Sequence, residues 1–119
     1  MTAPYTTPDI VAKLPATGYT PVTNSIVEVP TTAKLMIGLD VSDQLVGMAL
    51  PQNYNVTLTS ASGSPIEMAE PAGLSWYTIT QVVDGSLLTA EHGYTLAFQW
   101  TDESGQGFFI GHIKIRCPF

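Results

Sequence analysis

Four large side chains at strict two-residue spacing, Tyr94, Leu96, Phe98 and Trp100, constrain this chain more than any other feature. They alternate with Thr95, Ala97, Gln99 and Thr101. Successive side chains of a strand point to opposite faces, so this run has one apolar and one polar face. Residues 102–106, with Gly105, form a short loop. Phe109, Ile113 and Ile115 then alternate with Phe108, Ile110, His112, Lys114 and Arg116. The pattern predicts a β-hairpin with an apolar face on each arm. Cys117 continues the inward register, which predicts a buried, inert thiol. Lys114 and Arg116 fall outward, where they read as protection of a sheet edge.

The same period of two runs back to residue 23. Residues 25–29 read as a strand ended by Pro30. Residues 34–39 place Leu35, Ile37 and Leu39 on one face. Residues 54–60 place Val56 and Leu58 on one face and Thr57 and Thr59 on the other. Residues 62–65 are a turn, and 66–68 a short edge strand. A turn at 71–73 leads to a strand over 75–83, with Tyr77, Ile79 and Val83 on one side and Trp76 opposite. Asp84-Gly85 breaks it, and residues 87–92 form one helical turn closed by Gly93. No window holds a helical period. About seven short strands joined by turns imply an all-β sandwich or small barrel.

The first twenty residues differ. Pro4, Pro8, Pro15 and Pro21 recur among Thr, Ala and Gly. Such a segment favours extended backbone. Its one aliphatic cluster is Ile10, Val11 and Leu14. The bland reading is a frayed terminus. The sharper one is an arm over residues 1–22 that reaches a neighbouring subunit, anchored by those three residues. The sandwich then spans 23–119.

Composition narrows the function. Charged residues make up 12% of the chain, about half of the ~25% typical of soluble chains. Thr (15 residues) and Ser (8) take their place. A surface of hydroxyls with few lysines suits pleated sheet, and it offers little repulsion between copies, as in a protein that lives assembled. Only Lys13, Lys34, Lys114 and Arg116 are basic, against a net charge of −6. Nucleic-acid binding needs a basic face that these residues cannot build, and an anionic membrane is disfavoured for the same reason. Residues 44–66 lack charge, but Pro51, Asn53 and Asn55 argue against a span. One cysteine supplies neither an internal disulfide nor a thiolate zinc site. Residues 1–15 have no basic start and no apolar block, so a chain made in the cytoplasm without secretion is expected.

Chemistry-bearing residues form no motif, so no catalysis, cofactor or metal is expected. His92 and His112 read as incidental turn and surface histidines. Asp40 with Asp43, Glu67 with Glu70, and Asp102 with Glu103 are sequence neighbours in turns. Glycosidase chemistry needs two carboxyl groups across a cleft, roughly 5–9.5 Å apart. The same loops offer oxygen ligands to calcium, without the spacing of an EF-hand. Asn55-Val56-Thr57 matches the glycosylation sequon by chance in an unsecreted chain. Trp76, Tyr77, Tyr94, Trp100 and Phe108 could stack on sugar, but Tyr94 and Trp100 share the apolar face with Leu96 and Phe98, which favours core packing. Trp76 and Phe108 fall opposite their strands' apolar rows and are the better candidates for contact with a partner.

Residues 88–107, with Leu88, the acidic turn at Glu91, Gly93 and Tyr94 before a Gly-containing hairpin, resemble the last third of an immunoglobulin-like domain. Tyr94 would be the tyrosine-corner residue, its hydroxyl bonded back to nearby backbone. The chain departs from that pattern in having no cysteine pair and a turn before Tyr94 one residue shorter; Trp76 has no disulfide behind it. Together with the run 55–65, Asn-Val-Thr-Leu-Thr-Ser-Ala-Ser-Gly-Ser-Pro, the chain over 23–119 is similar to cysteine-free immunoglobulin-like domains of small tailed-phage virion proteins. The resemblance implies an immunoglobulin-like β-sandwich with an extended N-terminal arm. It also implies a bacteriophage capsid decoration (cement) protein on the virion surface, bound to the major capsid protein or another virion protein, with self-association as a further option. The alternatives it leaves are a tail or baseplate module, an adhesin-like module binding carbohydrate or a receptor, and a ring-forming connector. It carries over no functional residue.

Overall fold

A computed structural model describes residues 8–18, 26–45, 50–68, 70–102 and 108–119. The 1–22 arm boundary and the hairpin turn at 103–106 fall outside these residues.

The chain is an all-β sandwich of two sheets. Its strands are β1 (Ile10–Lys13), β2 (Val27–Glu28), β3 (Lys34–Asp40), β4 (Gln52–Ser60), β5 (Pro65–Ile66), β6 (Gly73–Ser75), β7 (Thr78–Asp84), β8 (His92–Thr101) and β9 (Phe108–Cys117). One sheet runs β1-β3-β7-β6 and the other β2-β9-β8-β4-β5. If β3, β4, β6, β7, β8 and β9 are lettered B, C, D, E, F and G, these are the B-E-D and G-F-C arrangements of an immunoglobulin sandwich, and β1 takes the place of A. Here β1 runs parallel to β3, and β2 runs parallel to β9.

Alternation decides which face is buried. Leu96, Phe98 and Trp100 of β8 and Ile113 and Ile115 of β9 are buried, with Cys117 in the same row. They meet Ile37 and Leu39 of β3, Leu58 of β4, and Ile79 and Val83 of β7 in one cluster. Each such side chain contributes about 1.5–3 kcal/mol on leaving water. Gln81, also inward on β7, is 2% exposed; its Nε2 donates to the Glu70 and Val82 carbonyls, so this core amide is hydrogen-bonded. Gly111 is a point where β9 packs close against side chains from the β1–β3 side. A Cβ there would come within 2.9 Å of Leu39 and 3.4 Å of Leu14.

Several expectations change. The described residues hold nine strands rather than about seven. One of the extra strands is β1, inside the expected arm. The Asp9 N–H bonds to the Met36 carbonyl and the Leu14 N–H to the Asp40 carbonyl, at 2.8 and 2.9 Å, so residues 9–14 are zipped to β3. The other is β6, Gly73–Ser75, which starts inside the turn expected at 71–73; the real turn falls at Trp76 and Tyr77, inside the expected strand over 75–83, so β7 starts only at Thr78. The one-turn helix expected over 87–92 is a 3₁₀ turn at Gly85–Leu87, capped by Asp84, and His92 already belongs to β8. Lys114 and Arg116 do not guard a bare edge, because β2 pairs with β9 at Ile115 and Arg116.

The tyrosine corner expected at Tyr94 is present. Its buried hydroxyl accepts the Thr89 N–H at 2.7 Å, five residues upstream. Tyr94→Phe leaves that N–H without its acceptor while keeping the ring. A loss of about 1–2 kcal/mol is expected in urea unfolding. An unchanged midpoint would show that water takes over the bond.

Candidate functional site

Two ends of the sandwich can be told apart by register. Asp40 pairs with Thr78, and Thr101 with both Gln52 and Phe108, so the ends of β3 and β8 and the starts of β4, β7 and β9 lie together. The Gly111 contact with Leu39 and Leu14 ties the two sheets at that level. The opposite end holds Thr31, whose N–H meets the Phe119 carbonyl, and Gly85, whose N–H meets the Ala33 carbonyl.

Local bonds hold the first end together. Ser42 N–H donates to Asp40 Oδ1 at 2.9 Å, and the Val41 N–H to the Tyr77 carbonyl at 2.8 Å. Gln44 Nε2 reaches across to the Pro15 and Gly18 carbonyls. Lys13 Nζ lies 3.6 Å from Asp43 Oδ1, both largely solvated, a pairing that adds little stability. Asn53 Nδ2 donates to Thr101 Oγ1, which itself donates to the Gln52 carbonyl. Trp100 stacks on Phe109 at 5.8 Å and 7° under the start of β9.

On this platform stand two exposed aromatics. Trp76 occupies the first central position of the two-residue β6–β7 turn, with φ of 54° and 59% exposure. Such turns commonly use Gly where φ is positive, and a non-Gly residue there costs about 1–2 kcal/mol. Phe108 opens β9 on the outer face and is 67% exposed. The other proposed contact residues divide. Val11 is 48% exposed on the outer face of β1, and Ile10 is half-buried against the core. Leu14 is fully buried, so it cannot anchor an arm on a neighbour; its own sandwich already covers it.

The remaining candidates are scattered. Tyr94 and Trp100 are core residues, and Trp76 and Phe108 belong to different sheets, so the aromatics form no single-strand row. His92 starts β8 at the far end, its Nδ1 2.8 Å from the Ala90 carbonyl, while His112 lies midway along β9. Among the described residues no group of three or more His, Cys, Asp and Glu comes together to hold a metal. Two shifted groups have local causes. A hydrogen bond to Glu70, at 2.9 Å, and its charge raise the pKa of Lys34. Bonds from the Ser86 N–H and hydroxyl lower that of Asp84.

Sequence reasoning missed two concavities. One, of about 350 Å³, lies beside β6 on the outer face of the four-stranded sheet, between Met36, Glu70, Gly73 and Val82. The other, of about 260 Å³, lies over Gly93 between Ile26, Ala61, Lys114 and Arg116. Its signal in the sequence is a glycine in the outward row of β8. No protein-family model, curated protein or solved structure matches this chain.

Proposed function

We propose that the chain is a non-enzymatic docking module of a tailed-phage virion, a capsid decoration protein that seats Trp76 in a seam of the assembled shell. The observation that carries this reading is Trp76 itself. A large aromatic held at positive φ on an exposed turn is disfavoured both by its backbone and by its exposure. Strain kept at such a position points to use in contact. Trp is among the residues most enriched at the centre of interfaces, and it brings roughly 150–250 Å² of burial. The resemblance to phage virion domains supplies the partner, the major capsid protein, and the place, the capsid surface. Binding only the assembled shell stabilises it by mass action. The same turn on a tail module would meet a receptor or carbohydrate instead.

The test is co-sedimentation of the purified chain with assembled phage heads and, separately, with tails. Trp76→Ala is expected to weaken head binding about 30-fold or more. Trp76→Gly separates contact from folding. It should raise stability by about 1 kcal/mol through relief of the positive φ, yet lose binding as Trp76→Ala does. A folded chain that ignores heads, or binds them equally well without the indole, sinks this reading; binding to tails alone moves the module there.

A further inference from the structure

One outward row of the four-stranded sheet sets a single hydroxyl between two glycines. Gly38 of β3 pairs with Thr80 of β7, and Thr80 with Gly73 of β6. Ile79 and Gln81 point into the core, so Thr80 between them points out. It is nonetheless only 7% exposed. On one side Pro8 packs on the bare backbone of Gly38, where a Cβ would come within 2.8 Å of the proline ring. On the other side Gly73 leaves the hydroxyl reachable. A Cβ at Gly73 would stand 2.9 Å from Thr80 Oγ1 and cap it. The Thr80 hydroxyl makes no hydrogen bond among the described residues. A buried hydroxyl without a partner is unfavourable. This one faces the cavity of about 350 Å³ beside β6.

We propose that this cavity binds one ring of a neutral sugar, with the Thr80 hydroxyl as its buried hydrogen-bonding group. Size permits it. A cavity of ~150 Å³ holds benzene and small-molecule sites begin near ~300 Å³, so the space admits a six-membered ring with its substituents. The walls divide as a pyranose does, into an apolar part and a hydrogen-bonding part. Met36 and Val82 are register partners and both line the cavity. They stand two residues along the strands from the row of Thr80, ~7 Å away, and offer a surface to the C–H face of a ring. Thr80 and Ser75 offer hydroxyls to its edge.

Charge selects a neutral ring. Glu70 is a lining residue, and its Oε2 takes the Lys34 ammonium at 2.9 Å. The pair offsets its own charge, so neither an anionic nor a cationic sugar gains from it. Glu70 Oε1 is left as an acceptor for a ring hydroxyl. A ligand of about a dozen heavy atoms in an open cleft is expected to bind in the millimolar range. This inference stands apart from capsid docking, which is read through Trp76, a residue that does not line the cavity.

Amide chemical shifts of the isotope-labelled full chain test it. The probes are glucose, galactose, mannose and N-acetylglucosamine, each taken to ~100 mM, with glucuronate and glucosamine as charged controls. At least one neutral sugar is expected to move the amides of Gly73, Thr80 and Val82 with a millimolar dissociation constant. Thr80→Val keeps the shape and removes the hydroxyl, so that constant should rise about 3- to 10-fold. Gly73→Ala sets a methyl against Thr80 Oγ1 on a backbone whose φ is not positive. It should weaken binding about 10-fold or more by capping the hydroxyl. The same spectra report whether each variant is folded. The proposal is overturned by no shift from any neutral sugar, or by shifts only outside this cavity. Tighter binding of a charged control, or parental affinity in both variants, overturns it equally.

Discussion

Trp100→Ala is expected to cost about 3–5 kcal/mol, the largest loss from any single truncation in this core. Trp100 is fully buried and stacked on Phe109 at the level where the sheets meet the first loop end. Native domains are stable by only about 5–15 kcal/mol. With a urea dependence of ~1–3 kcal/mol/M, the midpoint should fall by roughly 2 M or more, and part of the chain should be unfolded in buffer. Far-UV circular dichroism reads this without relying on the fluorescence that the substitution removes. Trp100→Phe supplies the contrast. The indole N–H has no acceptor among the described residues, so replacing it removes a buried donor that gains nothing. A phenyl ring still stacks on Phe109, and a loss nearer 1–2 kcal/mol is expected. If Trp100→Ala unfolded within 1 kcal/mol of the parent chain, β8 would not be packed as the stacking geometry requires.

The contrast between legible and hidden features follows from how far apart the deciding contacts are. The rows of β8 and β9 were readable because each is ten residues of local alternation. So was the break at Asp84-Gly85; the Tyr94 hydroxyl bond, which only the immunoglobulin-like resemblance implied, also spans a few residues. β1 was not readable. It is four residues between Pro8 and Pro15, and its partner β3 begins more than twenty residues later in the chain. Nothing local distinguishes it from an arm; only the open edge of β3 does. The β6–β7 turn was hidden for the opposite reason. Trp76 and Tyr77 are strand-favouring residues, and the turn lacks the Gly, Asn or Pro that would announce it. Phe108 faced outward by simple alternation, so its exposure was foreseeable. The exposure of Trp76 arises from a turn, and the notch over Gly93 needs Ala61, Ile26 and Arg116 brought together from three strands' ends.

Gly85→Ala is the second large effect, and it acts at the other end of the sandwich. Gly85 follows β7, and its N–H bonds to the Ala33 carbonyl at 2.8 Å. A Cβ added there would fall on the carbonyl oxygen of Pro30, with the Ala33 carbonyl 2.9 Å away. Both are backbone atoms of the link from β2 to β3, so no side-chain rotation can make room. The link must move, and with it the bonds from Ala33 N–H to Pro30 and from Thr31 N–H to Phe119. That link ties β2 of one sheet to β3 of the other, so displacing it loosens the sandwich at its closed end. A loss of about 2–4 kcal/mol is expected, at the upper end of overpacking costs because the obstacle is backbone. For a domain near this size the thermal midpoint should drop by roughly 8 °C or more. Gly93→Ala is the internal comparison. Its Cβ would meet only the Ile115 carbonyl oxygen, at 3.9 Å, and its φ is not positive. Its stability should stay within about 0.5 kcal/mol of the parent or rise slightly, since Ala restricts the unfolded chain. Equal destabilisation by the two substitutions would mean that glycine is required at neither position by close approach, and that the β2–β3 link does not rest on the end of β7.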